Sequence, residues 1–325
     1  MDLAQAIRSG NRRALSRAIT LVESTRPDHR EEAEALLKAL GGARRALRIG
    51  LTGTPGVGKS TLTEALGLML TGQGTRLAVL AVDPSSARSG GSILGDKTRM
   101  ERLAREPNAY IRPSPAAAQL GGLARRSWEV AALFDAAGFD VVIAETVGVG
   151  QSETAVAAMT DVFVLLLAPA GGDELQGVKR GIMEVADLVL VNKADGALGP
   201  QARRTCADYA GALRLMRPRP GDPDGWPRAM TVSAATGEGL AEAWSAIEAL
   251  ARHREETGAL ASVRAAQAES RFEEELRALL LARLQADPRL AGSRRALAGQ
   301  VRAGRPPAEA ARALLAQLDA PVPPS

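Results

Sequence analysis

The chain has 325 residues, which is more than one typical domain and fewer than three, and its 46% hydrophobic and 24% charged side chains suffice for a sizeable core. Aromatic residues make up only 3%, which argues against a surface that stacks nucleic-acid bases, and the formal charge of +4 comes from arginines interleaved with glutamates rather than from a basic patch. One cysteine and two histidines exclude a disulfide framework and a cluster of soft ligands for zinc, nickel or iron–sulfur.

The sequence predicts no membrane partner. The longest apolar run, residues 162–170, is far too short to span a bilayer. Residues 1–20 carry arginines without the apolar run and cleavage site of a signal peptide. We therefore expect a cytoplasmic protein that binds neither membrane nor nucleic acid.

The first 45 residues are predicted to form a helical extension. Leu3, Ile7, Leu15 and Ile19 fall near a helical period, and a second helical stretch follows as far as the Gly41-Gly42 pair, which ends it. This extension covers residues 1–45 and precedes a region with a different pattern.

Residues 46–254 alternate short apolar, β-branched runs with helical stretches. Continuous apolar strands separated by helices predict an α/β fold with a mostly parallel central sheet covered on both faces. Ligands on such sheets bind at the carboxyl ends of the strands, and the polar motifs of this chain follow those ends. The predicted strands are residues 47–51, 77–82, 141–144, 162–167, 188–191 and 230–232.

From residue 255 to residue 325 the strand pattern ends and a helical arm is predicted. A long Ala/Leu/Arg/Glu stretch covers residues 259–286, and Pro288 and Gly292 are expected to break it. A shorter helix is expected over residues 307–318, followed by a frayed, proline-rich tail.

A glycine-rich segment after the first predicted strand matches the pattern G-x-x-x-x-G-K-[ST] in full. The strand before it and the helix predicted over residues 60–70 supply the context that this phosphate-binding loop requires. Its backbone N–H groups are expected to bind phosphate oxygens, Lys59 to reach the β- and γ-phosphates, and Ser60 to ligate Mg²⁺. The predicted loop consists of Gly53, Thr54, Pro55, Gly56, Val57, Gly58, Lys59, Ser60 and Thr61.

Two later loops predict that the base is guanine. Asn192-Lys193-Ala194-Asp195 follows a strand and resembles the guanine-specific N-K-x-D signature, in which a carboxylate such as Asp195 accepts bonds from N1–H and the exocyclic amine. Adenine lacks that donor pair and would leave the carboxylate unpaired, at a cost of about 1–3 kcal/mol. A loop that resembles S-A-x and closes over the base carbonyl follows the next strand: Ser233, Ala234 and Ala235.

Three acids are candidates for the metal and the γ-phosphate. Asp83 and Glu145 end predicted strands, and Asp96 follows a glycine-rich stretch. Because Mg²⁺ keeps several waters and takes few protein ligands, only one or two of these acids need lie close to it. The Gly148 N–H is placed to sense the γ-phosphate, whereas Gln151 is not assigned the water-orienting role of small GTPases.

Together these motifs resemble the MeaB/ArgK family of SIMIBI-class GTPases. The resemblance implies a GTPase, with Mg²⁺ and GTP or GDP, that acts as a chaperone for adenosylcobalamin-dependent acyl-CoA mutases, chiefly methylmalonyl-CoA mutase. The segments that carry it, beside an N-terminal match at residues 18–24, are residues 53–61, 82–86, 90–100, 145–153, 172–179 and 192–195.

The resemblance also implies two features outside the nucleotide site. Residues 171–179 look like the family's additional switch loop, with Gln176 and Lys179 as candidates for signalling to the mutase. The C-terminal helical arm is expected to form a homodimer.

Three other functions remain open at this point. A nickel-insertion GTPase shares the fold but needs histidine-rich or cysteine ligands. A phosphotransferase would need a base near an acceptor pocket, and the sequence has no such signature. A non-catalytic GTP-binding scaffold is the third, and the acids Asp83, Asp96 and Glu145 argue against it.

Overall fold

The computed structural model describes residues 2–41, 46–83, 100–115, 122–146, 152–169 and 180–317. It begins with three helices: α1 (Leu3–Arg8), α2 (Arg12–Glu23) and α3 (Pro27–Leu40). The Asn11 side chain caps α2 by accepting hydrogen bonds from the N–H groups of residues 13 and 14. Gly41 ends α3 with a left-handed φ of 36°, as its place in the sequence predicted.

The described residues form one seven-stranded sheet in which every pairing is parallel. The strands are β1 (Leu47–Thr52), β2 (Leu77–Asp83), β3 (Ala109–Pro115), β4 (Val141–Thr146), β5 (Val162–Leu167), β6 (Leu188–Val191) and β7 (Arg228–Thr231). Their order in the sheet is β3-β2-β4-β1-β5-β6-β7, so β1 lies near the centre between β4 and β5. This confirms the predicted α/β class with a parallel sheet.

The strand β3 was not predicted from the sequence. Pro113 and Pro115 lie within it, and proline cannot donate to a strand ladder, so its sequence is atypical of a strand. The structure tolerates both prolines because β3 is an edge strand that pairs only with β2 in the described sheet.

Helices cover both faces of the sheet. One core contains apolar residues of α1, α2, α3 and the helix over residues 122–136, and the other contains residues of the helices over 59–72 and 240–256. Every residue of β4, β5 and β6 is buried, which explains their continuous apolar sequences. The covering helices are α4 (Lys59–Gly72), α5 (Glu101–Arg105), α6 (Gly122–Ala136), α7 (Ser152–Ala157), α8 (Arg180–Val185), α9 (Gly199–Arg214) and α10 (Leu240–Glu256).

The N-terminal helices belong to the same compact unit as the sheet, which comprises residues 1–267. Arg30 of α3 donates two hydrogen bonds, of 2.9 and 2.8 Å, to the buried carboxylate of Glu129 on α6. Arg12 of α2 donates to the carbonyl oxygen of Ala109 at 2.8 Å, at the start of β3.

Residues 268–325 form a second compact unit. It contains most of α11 (Ala259–Ala286), together with α12 (Pro288–Arg302) and α13 (Pro307–Leu315). Pro288 separates α11 from α12 as predicted, but the break expected at Gly292 is wrong because that glycine lies inside α12. A glycine in a helix interior costs only about 1 kcal/mol, which the rest of the helix can offset. No helix among the described residues is long and apolar enough to cross a membrane.

A buried cluster of opposite charges stabilises the amino ends of the central strands. Arg254 on α10 donates to Asp187 Oδ1 (2.6 Å), to Asp222 Oδ1 (2.7 Å) and to the carbonyl oxygen of Asp161 (2.7 Å). Asp187 and Asp161 immediately precede β6 and β5. Burial acts to lower the pKa of Arg254, but the bonds with Asp222 and Asp187 outweigh it, and the net pKa is raised. The guanidinium therefore stays charged at the base of the sheet.

Replacing Arg254 with alanine should destabilise the protein by about 3–5 kcal/mol, because Asp222 would lose this buried ion pair and Asp187 would retain only the ion pair with Arg219. Urea denaturation followed by circular dichroism measures the change. Arg252→Ala, at an exposed position of the same helix, serves as the control and should change stability by less than about 0.5 kcal/mol. Equal effects of the two substitutions would contradict this account of the cluster.

Candidate functional site

The phosphate loop connects the central strand β1 to α4. Its tip, residues 54–56, is exposed, whereas Lys59 is buried at the base of the helix. The Lys59 ammonium donates to the carbonyl oxygens of Gly53 (2.8 Å) and Thr54 (3.0 Å), so it lies inside the curve of the loop. A fixed positive charge beside the N-terminus of α4 makes this loop an anion site.

Asn192, directly after β6, joins the phosphate loop to the loop after β7. Its Nδ2 donates to the carbonyl oxygen of Val57 (2.8 Å), and its Oδ1 accepts from the N–H of Ala234 (3.0 Å). The side chain is buried, and both ends of its amide are used. Gly58 adopts a φ of 94°, and a Cβ there would lie 2.6 Å from Asn192 Nδ2. Only glycine therefore allows Asn192 to approach this closely.

The two loops predicted to bind guanine are also bonded to each other. Ser233 Oγ donates to Asp195 Oδ1 at 2.5 Å, which orients the carboxylate of the N-K-x-D segment. The N–H of Ala194 donates to the carbonyl oxygen of Val232 at 3.1 Å. Lys193 adopts a left-handed φ of 57° and donates to the carbonyl oxygen of Gly56 at 2.9 Å. The phosphate loop and the guanine loops thus form one hydrogen-bonded surface at the carboxyl edge of the sheet.

Glu145 lies on β4, beside the phosphate-loop strand, in register with Leu51 of β1. Its side chain is buried, and each of its carboxylate oxygens accepts a hydrogen bond from a hydroxyl of α4. Ser60 Oγ donates to Oε1 at 2.8 Å, and Thr63 Oγ1 donates to Oε2 at 2.8 Å. The structure therefore brings two of the four predicted metal-site residues, Ser60 and Glu145, into direct contact.

The donor set at this point fits a magnesium ion. Ser60 and Glu145 offer a hydroxyl and a carboxylate oxygen, the hard ligands that Mg²⁺ prefers, and phosphate oxygens and water complete such sites. In the described ranges, no group of three or more His, Cys, Asp and Glu residues could hold a metal ion by itself.

For the remaining predicted site residues outside the phosphate and guanine loops, the structure describes only the backbone of Asp83. The backbone of Asp83 ends β2, which is separated from β1 by β4. Asp96, Gly148, Gln176 and Lys179 lie outside the described residues.

Sequence reasoning missed Thr63, which binds the second oxygen of Glu145. Thr63 lies three residues after Ser60, and residues at that spacing share one face of a helix. That spacing could have identified Thr63 as a neighbour of Ser60, but the phosphate-loop pattern ends at Ser60 and does not include it.

Comparisons with known proteins agree with this geometry. The chain is 58% identical over 255 residues to a protein of Mycobacterium bovis named as a probable GTPase, covering 78% of this chain and 74% of the relative. It is 50% identical over 243 residues to the GTPase ArgK of Escherichia coli K12, covering 74% and 72%. The crystal structure of an LAO/AO transport system kinase matches with a TM-score of 0.75 and 36% identity, over 98% of this chain and 97% of that chain.

The parallel sheet, the phosphate loop and the two guanine loops define a P-loop GTPase. The profile of the family described as methylmalonyl-CoA mutase-associated GTPase MeaB matches residues 15–289. The chain belongs to this MeaB family, as the sequence motifs indicated.

Exchanging Asp195 for asparagine should shift the preferred base from guanine to xanthine. The amide loses the charged acceptor for the guanine donors but can donate to the carbonyl that xanthine carries instead. We expect GTP affinity to fall by roughly 10- to 100-fold, the effect of losing hydrogen bonds to a charged group. Competition between GTP and XTP for a fluorescent nucleotide measures the shift. Asp208→Asn, at an exposed position of α9, is the control, and unchanged GTP preference in Asp195→Asn would remove Asp195 from base recognition.

Proposed function

We propose that this GTPase is a metallochaperone that gates adenosylcobalamin loading of an acyl-CoA mutase, with methylmalonyl-CoA mutase as the client, and protects that enzyme. The main observation behind the proposal is that the Asn192 side chain hydrogen-bonds both the phosphate loop and a loop predicted to bind guanine. The sites for the phosphates and for the base of one nucleotide are thereby held together. Membership of a family described as mutase-associated supports the choice of client.

The site residues divide between holding the nucleotide and responding to it. Lys59 and the loop N–H groups bind the β- and γ-phosphates, and Asp195 with the Ser233–Ala235 loop binds guanine. Ser60 would be a direct protein ligand of Mg²⁺, and the ion would neutralise phosphate charge during hydrolysis. Glu145 is the carboxylate beside that ligand. Asp83, Asp96 and Gly148 are proposed around the γ-phosphate from their sequence positions.

The route from the nucleotide to the mutase is proposed to follow β5. This strand pairs directly with β1, with Thr52 in register with Leu165, so the chain leaves β5 beside the phosphate loop. Residues 171–179 connect β5 to α8, and within them Gln176 and Lys179 are proposed to contact the client. The chain thus enters this segment from a strand that is paired with the strand leading into the phosphate loop.

A homodimer formed by the helical arm is the second part of the proposal. Four apolar side chains of α11 are exposed to solvent: Phe272 (61%), Leu276 (39%), Leu279 (54%) and Leu280 (58%). Their spacing places them along one side of the helix. An exposed apolar stripe of this kind is typical of an interface.

The cytoplasm is the proposed compartment, since a single cysteine suits a reducing environment. A phosphotransferase is the other candidate function, because one of the matching solved structures is named a kinase. Product analysis decides between them: hydrolysis releases free phosphate from GTP, whereas a kinase transfers it to an acceptor. No observation on the described residues favours nickel insertion.

Binding to methylmalonyl-CoA mutase should depend on the nucleotide. We expect calorimetry to give different affinities for the mutase with GDP and with a non-hydrolysable GTP analogue, and Lys179→Ala to reduce that difference while leaving GTP affinity unchanged. Lys38→Ala, at an exposed position of α3, is the matched control. Absence of mutase binding in both nucleotide states would overturn the proposed client.

Phe272→Glu should convert the dimer to a monomer, because a charge placed in the apolar stripe would be buried without a partner. Light scattering after size-exclusion chromatography measures the mass. Ala278→Glu adds the same charge at an exposed position on the opposite side of α11 and should leave the dimer intact. A monomeric unmodified protein, or a Phe272→Glu dimer, would refute this interface.

A further inference from the structure

Thr63 takes part in the site although no motif assigns it a role. It lies on α4 one turn beyond Ser60, and its side chain is fully buried at 0% exposure. Its hydroxyl donates to Glu145 Oε2, while Ser60 donates to Oε1, both at 2.8 Å. Two hydroxyls of one helix therefore hold the two oxygens of one carboxylate.

This bond differs from the usual behaviour of a buried helical threonine. Thr71, two turns further along α4, returns its hydroxyl to its own helix and donates to the carbonyl oxygen of Gly67 at 2.8 Å. The Thr63 hydroxyl instead reaches across to β4. The hydroxyl is thus used by Glu145 rather than by a carbonyl oxygen of its own helix.

The three residues orient one another in sequence: Thr63 orients Glu145, and Glu145 orients Ser60. A serine hydroxyl that donates its proton to a carboxylate keeps its oxygen lone pairs for another partner, and a metal ion can take one of them. Glu145 therefore fixes the direction in which the Ser60 oxygen faces. Thr63 in turn fixes the plane of the Glu145 carboxylate, because it holds the oxygen that Ser60 does not use.

We propose that Thr63 is a positioning residue for magnesium, which acts through Glu145 to orient the Ser60 hydroxyl toward the ion. This inference rests on the magnesium part of the proposed function. Partners that orient a metal ligand typically change metal affinity by about 10- to 100-fold when they are removed. The Thr63 hydroxyl should therefore affect magnesium binding far more than nucleotide binding itself.

The test removes the hydroxyl at nearly constant shape with Thr63→Val. The affinity of the full chain for a fluorescent GDP is measured in EDTA and across a magnesium titration. We expect the half-saturating Mg²⁺ concentration to rise by about 10- to 100-fold, with the affinity in EDTA unchanged. Thr63→Ser should restore the value of the unmodified protein, and Thr71→Val, the same substitution on the same helix, should have no effect.

Several results would overturn the inference. One is a magnesium dependence that Thr63→Val leaves unchanged, and another is an equal loss of affinity with and without Mg²⁺, which would identify structural damage. If Thr63→Val does not fold, Thr63→Ala in the same titration decides. If the nucleotide affinity of the unmodified protein does not depend on Mg²⁺, both this inference and the magnesium part of the proposed function are overturned. If only the Thr63→Val substitution leaves the magnesium dependence unchanged, the inference alone is overturned.

Discussion

The nucleotide site depends on one buried amide. Asn192 donates to the phosphate loop through Val57 and accepts from the guanine loop through Ala234, and both bonds lie in the protein interior. Buried amides are costly when they lose a partner, so the two loops cannot move apart without leaving donors or acceptors unpaired. The requirement for glycine at position 58 follows from the same contact, since any larger residue would push the amide away.

The parallel sheet explains why residues distant in the sequence share this site. The strands β1, β4, β5 and β6 all present their carboxyl ends at one edge, so the described residues that end or follow these strands lie near one another there. The register between β1 and β4 places Glu145 next to the start of the phosphate loop. At the opposite ends of β5 and β6, Arg254 bonds the carbonyl oxygen of Asp161 and the carboxylate of Asp187, so the buried charges and the nucleotide loops lie at different ends of the sheet.

Much of this arrangement could be predicted from the sequence, because buried parallel strands have continuous apolar runs and the nucleotide loops have strict residue patterns. The parallel sheet, the phosphate loop and the family all followed from those signals. The strand β3 could not be predicted, because its prolines are atypical of a strand and are tolerated only at the edge of a sheet. The helix through Gly292 could not be predicted either, because the helix-forming residues around a single glycine offset its low helix propensity. The contact of Thr63 with Glu145 depends on how α4 faces β4, which only tertiary packing determines.

The prolines of β3 have a consequence for self-association. An edge strand with free N–H groups can recruit a strand from another molecule and start aggregation, and Pro113 and Pro115 remove donors from this edge. The β3 side of the sheet is thereby a poor template for strand addition. An interface between copies built on helical surfaces would instead make its contacts through side chains, and it could form and dissociate without disturbing the strands of the sheet.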